Sequence, residues 1–276
     1  MPALISVLVT IHNAEPFLRE AIDSLLAQTD PHFEVVAIDD GSSDGSGAIL
    51  DSYSDLRLRV FHRPHAGRVA SLIDAAQVAR GEFLSIQDAD DLSLPGRLAA
   101  QRAFLESHPE VGLLGTAAEE FDDHGRWTLP VPTGPDRTRR AMMLYNPFFT
   151  SSLMFRRSAY EAINGFDPDT GVSYDADFLL RMTLAFPVDI LPRVWIRYRH
   201  HPQQMTAGSA WRRRQHLAAA KLQCGAARKL GAPAVYRCYT QLALLKALFY
   251  QLPSTLRPRT VKDRLKYAII RRFGIL

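Results

Sequence analysis

Apolar and polar positions alternate between two periods over residues 1–115. Aliphatic and β-branched runs at Leu4–Thr10, Phe33–Ile38, Leu58–Phe61, Glu82–Gln87 and Val111–Gly115 predict five short strands. Between them apolar residues recur at helical spacing. Phe17, Leu18, Ala21, Ile22, Leu25 and Leu26 mark one face, a short helix runs to Tyr53, and further helices cover Val69–Ala79 and Leu94–Ser107. Strand, helix and strand in repetition predict an α/β fold, a mostly parallel central sheet flanked by helices. Ligands of such sheets bind outside the carboxyl ends of the strands, so polar residues there are the first functional candidates.

Beyond residue 116 the pattern loosens. Pro130–Pro135 reads as a loop, Asp136–Leu144 and Asp175–Ala185 as helices, and Ile190–Tyr198 as a strand. From Ala210 the chain becomes helical and basic, broken by Pro233, Pro253 and Pro258. No internal repeat or low-complexity segment is present.

Composition changes this picture in two ways. With 276 residues and 47% apolar content the chain can build a full core, which excludes a disordered class. The net charge of +4 conceals an asymmetry. Residues 211–276 hold fifteen Lys and Arg against one acid, Asp263, leaving eighteen basic and twenty-eight acidic residues in 1–210. Such a tail predicts an anionic partner. Leu242, Leu245, Leu248, Phe249 and Leu252, then Tyr267, Ile269, Ile270 and Phe273, set among Lys and Arg, suit a helix lying on an anionic membrane surface. Nucleic acid is the lesser alternative, since no RNA-binding or recognition-helix motif appears. Cys224 and Cys238 lack metal-ligand spacing and read as ordinary thiols of a reduced cytoplasm. MPALISVLVTIHN has neither a basic n-region nor a long h-region, so no signal peptide is expected. No apolar run is long enough to predict a bilayer span.

Three predicted strand ends carry polar clusters: TIHNAE (Thr10–Glu15), DDGSSDGS (Asp39–Ser46) and QDADD (Gln87–Asp91). The spacings of a P-loop and of a dinucleotide fingerprint are absent, which argues against an NTPase and a Rossmann dehydrogenase. TIHNAEPF is not the Gly-rich, Lys- or Arg-bearing loop of a nucleotidyltransferase. Asp88, Asp90 and Asp91 crowd charge at the end of an apolar strand, which calls for a positive side chain or a bound cation. A D-x-D pair on a turn suits Mg²⁺ or Mn²⁺, completed by substrate phosphates and water. The alternative is that Asp88 or Asp91 caps the helix starting near Leu94. Asp39 and Asp40 equally fit turn formation before Gly41, and Asp44 reads as a helix N-cap.

VTIHNAEPFLREAIDSLLAQT, EVVAIDDGSSDGS and GEFLSIQDADD, in this order and spacing, resemble the start of a family 2 glycosyltransferase with the GT-A fold. The resemblance extends from residue 4 to residue 201. It implies that Asp40, with Asp39 beside it, recognises the base, a carboxylate accepting the N3–H of uracil or thymine. It implies that Thr10 and Glu15 line the base pocket, that Arg68 in HAGRVASL faces the diphosphate, and that Asp88 holds the ribose or assists a metal bound by Asp90. GFDPDTGVSYDADFLLR resembles the family block whose second acid is the catalytic base, here Asp175, with Asp177 structural. RYRHHP resembles Y-R-x-H and assigns His201, not His200, to the metal or diphosphate. NPFFTSSLMFRR resembles the block that puts Thr150, Ser151 and Ser152 on the acceptor and donor-sugar side.

Three positions depart from the family: His12 replaces a usual Tyr, LID at Leu72–Asp74 lacks the usual Asn, and Tyr174 replaces an acid. The implied activity is inverting transfer of a sugar from a nucleotide-diphosphate sugar, UDP- or dTDP-linked, to a saccharide or glycolipid hydroxyl in envelope synthesis. The implied organisation is a GT-A domain over 1–209, with a nucleotide-binding half (1–115) and an acceptor-binding half (116–209), and a basic helical tail over 210–276. The expected location is cytoplasmic, peripheral on the inner face of the plasma membrane. The competing reading is a non-catalytic domain whose tail binds membrane or nucleic acid.

Overall fold

The structure, a computed structural model, describes residues 2–143, 145–204 and 222. The expected basic tail, with Cys224 and Cys238, lies outside the described residues, Leu222 excepted. In chain order the elements are β1 (Ile5–Ile11), α1 (Glu15–Leu26), β2 (Phe33–Asp40), α2 (Ser46–Asp51), β3 (Leu58–Arg63), α3 (Arg68–Val78), β4 (Phe83–Asp88) and β5 (Leu92–Ser93). There follow α4 (Arg97–Ser107), β6 (Leu113–Asp122), β7 (Gly125–Thr128), α5 (Pro135–Met142), β8 (Met154–Arg156), α6 (Arg157–Ala162), α7 (Tyr174–Ala185) and β9 (Val188–Arg199). Single 3-10 segments span Thr150–Ser152 and Pro168–Ser173.

One sheet runs β3-β2-β1-β4-β8-β6-β9-β5, with β7 hairpinned on β6. The β3-β2-β1-β4 half is parallel, and every residue of β1 and β2 is buried, as expected of strands covered on both faces. β8 then runs antiparallel to both β4 and β6 and joins the halves, while β6 and β9 are parallel. Alternation along the strands divides the core. Val7, Val9 and Val35 meet Leu18, Ile22 and Leu25 of α1 and Leu98 and Leu105 of α4. Leu8, Val36, Ile38, Leu84 and Ile86 meet Leu72 and Ala75 of α3 and Phe178, Leu179 and Met182 of α7. Phe166 packs 4.6 Å from Phe178 and 6.3 Å from Tyr174, ring to ring, and so sets the start of α7.

The helix expected from Leu94 begins at Arg97. Leu92 and Ser93 pair with Arg197 and Ile196 of β9 instead, and the Leu94 amide donates to the Trp195 carbonyl. Gly96 (φ 89°) then turns the chain into the helix.

Gly81 sits where β4 enters beside β1. A Cβ there would lie 2.6 Å from the Ser6 nitrogen and 2.7 Å from the Leu4 carbonyl oxygen, both backbone. Gly81→Ala is expected to cost about 1–3 kcal/mol through this overpacking, read as a lower urea midpoint at unchanged slope.

Candidate active site

Parallel register aligns the polar strand ends. Thr10 pairs with Asp88 across β1 and β4, and Ile11 pairs with Asp39 across β1 and β2. Strand β2 extends through Asp39 and Asp40, so both occupy its last positions and not the turn. Asp40 is 3% exposed and bridges to the β3–α3 connection, accepting from the Ala66 amide at 2.8 Å and the Gly67 amide at 3.0 Å. Its carbonyl oxygen accepts from Nδ1 of His12 and of His65, and the two imidazoles stack with centroids 4.2 Å apart. The family resemblance leads one to expect a tyrosine ring at His12, and two stacked imidazoles stand there instead.

Asp39 takes the Ser42 amide on Oδ1 (3.1 Å) and His62 Nδ1 on Oδ2 (2.8 Å). Burial pushes its carboxyl up, but these hydrogen bonds outweigh that and hold it below the usual carboxylate range. Glu15 accepts the Gly45 amide at 2.8 Å, and Asp44 accepts the Glu15 and Ser46 amides, both at 3.0 Å. Asp44 thus serves the first turns of α1 and α2 together, from one residue before the N-cap of α2. Thr10 is buried in its row, 8% exposed.

One oxygen each of Asp88, Asp90 and Asp91 lies within 4.8 Å of the others. The protein itself answers part of this charge. Asp88 Oδ1 accepts from Arg68 Nη2. Asp90 Oδ2 accepts from His201 Nε2 at 3.0 Å, which leaves His201 Nδ1 buried without a partner among the described residues. Asp91, 1% exposed, accepts from the Ser151 hydroxyl at 2.5 Å and from the Arg199 amide at 2.9 Å. Asp91 therefore does not cap the helix that follows. The β5 insertion carries the chain away, and Asp91 turns inward to tie β9 and the 150–152 segment to the end of β4. Burial, with repulsion from Asp88, raises the Asp90 carboxyl, and burial with both neighbours raises Asp91 well above its ordinary value. Asp88 Oδ2 and Asp90 Oδ1 receive no hydrogen bond among the described residues. A hard divalent cation fits such a set, being held by carboxylate oxygens in a site where added positive charge relieves repulsion.

Arg68 is not a solvated surface group. Its Nε donates to the Tyr174 hydroxyl at 2.6 Å while its Nη2 holds Asp88. Tyr174, which replaces an acid, thus supplies the oxygen that positions this arginine, and burial keeps its phenol protonated. The next residue is Asp175. Its Oδ1 is buried with no partner among the described residues, and burial raises its carboxyl. Asp177 faces Arg181 one turn on, at 2.7 Å. Ser151 also accepts the Asp88 amide at 3.1 Å, and the Ser152 hydroxyl accepts the Thr116 amide at 3.2 Å, so the 150–152 segment braces the site from the β6 side.

Arg97 went unnoticed in the sequence, and Arg199 stood in the Y-R-x-H match without a role. Arg97 is 0% exposed and donates to Ser85 Oγ (3.2 Å), Gln87 Oε1 (3.4 Å) and the Ser151 carbonyl (2.9 Å). No carboxylate pairs with it among the described residues, and burial pulls its pKa down to about 9. Its signal was present: Arg97, Gln101 and Leu105 share one helical row with a buried Leu98. Arg199 donates from Nε to the Asp90 carbonyl at 2.9 Å, pairs with Glu20, and lies over the rings of Phe17 (5.2 Å) and Phe121 (4.7 Å).

Known proteins were compared with this arrangement. The profile of the family described as Glycosyl transferase family 2 matches residues 6–163, more than half of the chain, and ends before Asp175 and His201. The putative glycosyltransferase EpsE of Bacillus subtilis is 35% identical over 167 residues, 59% of this chain and 59% of EpsE, so the match leaves over a third of that relative uncovered. The amylovoran biosynthesis glycosyltransferase AmsE of Erwinia amylovora is 28% identical over 215 residues, 75% of this chain and 80% of AmsE. Among solved structures, S. aureus TarS 1–349 in complex with UDP-GlcNAc superposes with TM-score 0.67 at 20% identity, over 90% of this chain and 72% of that one. The mannosyltransferase PcManGT from Pyrobaculum calidifontis, in complex with GDP-Man and Mn²⁺, gives TM-score 0.65 at 20% identity, over 99% and 81%. The structural likenesses establish the shared sheet, and the profile over the three acidic strand ends establishes the lineage: the chain belongs to glycosyltransferase family 2 and has the GT-A fold.

Proposed function

We propose that this protein is an inverting, metal-dependent transferase that moves a sugar from a UDP- or dTDP-sugar to an acceptor hydroxyl in envelope polysaccharide or glycolipid synthesis. The observation that carries the reading is the Asp88–Arg68–Tyr174 chain, which joins the carboxylates at the end of β4 to the residue before Asp175. Asp40 and the stacked His12 and His65 receive the base, with Thr10, Asp39 and Glu15 shaping the loops around it. Arg68 faces the diphosphate and Asp88 the ribose. Asp90, with Asp88 and His201 beside it, would hold Mg²⁺ or Mn²⁺. When bound, that ion supplies positive charge to the departing diphosphate. Asp175 takes the proton of the acceptor hydroxyl on the face opposite the leaving group, so configuration inverts and no covalent intermediate forms. Thr150, Ser151 and Ser152 border the donor sugar. Residues 1–115 act as the nucleotide half, 116–209 as the acceptor half, and the basic residues of 211–276 seat the enzyme on an anionic inner leaflet.

The nucleotide complexes of TarS and PcManGT and the polysaccharide role in the name of AmsE support this reading. Thermal stability with UDP, dTDP, GDP or ADP, each with and without Mn²⁺, tests it. One diphosphate at 100 times its Kd is expected to add about 2.7 kcal/mol, only with metal. No shift with any nucleotide sinks the proposal.

A further inference from the structure

The β6–β7 hairpin carries an exposed indole that the reaction scheme leaves unused. Trp127, 38% exposed, is one of two large apolar side chains that stand open among the described residues. The other, Leu56, precedes β3 and has no ring. Register places Trp127 opposite Glu120 of β6, and Glu120 opposite Tyr198 of β9, so the three share one cross-strand row. His200 lies against this row. Its ring stacks under Trp127 at 5.3 Å and 20°, meets Tyr198 edge-on at 5.0 Å, and donates from Nε2 to Glu120 at 2.8 Å. Tyr198 continues to Phe149 at 5.5 Å, and Phe149 abuts the 150–152 segment, whose Ser151 grips Asp91. A strip of four rings thus leads from the acidic cluster out to the tip of the hairpin.

We infer that this strip is the acceptor platform and that Trp127 binds a pyranose ring of a saccharide acceptor by its face. The inference rests on the transferase reading above and specifies its acceptor side. A sugar presents an apolar C–H face and a polar rim, and an indole held flat beside hydrogen-bonding groups is complementary to both. The stack on His200 fixes the indole plane in advance, so binding orders no loose side chain. Glu120 supplies a carboxylate acceptor beside the ring, held in place by the hydrogen bond from His200 Nε2. The charge of the hairpin disfavours an anionic lipid surface: Glu119, Glu120, Asp122 and Asp123 outnumber the nearby Arg126 and Arg197, both of which pair with Glu119. His200, which the family motif passes over in favour of His201, acts here as a positioning residue.

Saturation-transfer NMR on the full chain tests this, with methyl β-glucopyranoside, methyl β-galactopyranoside and methyl N-acetyl-β-glucosaminide as probes and UDP with diamagnetic Mg²⁺ in the same tube. At least one glycoside is expected to receive saturation on its ring C–H protons. That signal is lost in Trp127→Ala and in Trp127→Leu, which keeps apolar bulk for folding, and survives in Trp127→Phe. The UDP signal, reporting a folded donor site, persists in all. No glycoside signal in the wild type, or a signal unchanged in Trp127→Ala and Trp127→Leu, overturns the inference. A fluorescence blue shift on phosphatidylglycerol vesicles that is lost in Trp127→Phe, which leaves Trp195 and Trp211 in place, with no glycoside effect, overturns it in favour of a lipid surface. Glycoside loss without any UDP signal leaves the platform standing and removes the donor reading.

Discussion

Asp175→Asn is expected to lower turnover by about 10²–10⁴-fold, the contribution of a positioned general base, while binding of the nucleoside diphosphate persists. The geometry behind this is a carboxylate at the start of α7 whose Oδ1 is buried and unpartnered among the described residues, one residue after the tyrosine that holds Arg68. Burial raises its carboxyl, so the base protonates at a higher pH than an exposed aspartate does. The acid limb of kcat/KM should therefore stand above the ordinary aspartate range, with activity falling as pH drops through the raised value. The same shift has the opposite sign for stability. A folded-state pKa above the unfolded one means that the folded state binds more protons between the two values, so stability falls as pH rises through that window and stays lowered above it. Asn carries no such charge, and Asp175→Asn should melt at or above the wild-type temperature at neutral pH. Full activity in the variant, or an acid limb at the pKa of a free aspartate, would remove Asp175 from the role.

Asp90→Asn is expected to abolish the metal-dependent stabilisation by the nucleoside diphosphate, about 2.7 kcal/mol at 100 times Kd in the wild type, and with it turnover. Asn keeps an oxygen for His201 but removes the charge that a divalent cation needs. It also removes one source of repulsion on Asp91, which is buried beside Asp88 and Asp90. Without ligand the variant should thus be no less stable than the wild type. The combination distinguishes a binding carboxylate from a structural one, because a structural loss would lower the melting temperature with and without ligand. Differential scanning calorimetry with UDP, with and without Mn²⁺, reads both. A metal-dependent shift that survives in Asp90→Asn would place the cation elsewhere.

Much of the parallel half of the sheet is local and was legible. Strands β1, β2 and β4 are short apolar runs with polar ends, and parallel pairing of neighbouring βα units brings those ends together without further instruction. The same motifs, in order, were enough to point to the family that the profile establishes. The shortest strands were less legible. β5 has two residues and β8 three, too few for a period to register, and both exist only because β9 and β6 offer them a partner.

What became of the charges was decided wholly by tertiary structure. Asp91 looked as ready to cap a helix as to bind a cation. It does neither cap nor lie open, because Ser151, 60 residues on, and the Arg199 amide, 108 residues on, close over it. Arg97 is a charged group with no carboxylate partner among the described residues, yet the fold buries it behind Ser151. Tyr174 reads as the loss of an acid until Arg68 is seen to donate to it. In each case the residue type names the charge or hydrogen-bonding capacity, which is a property of the side chain alone. Its partner comes from a distant segment, and the burial that sets the strength of the interaction is a property of the packed sheet.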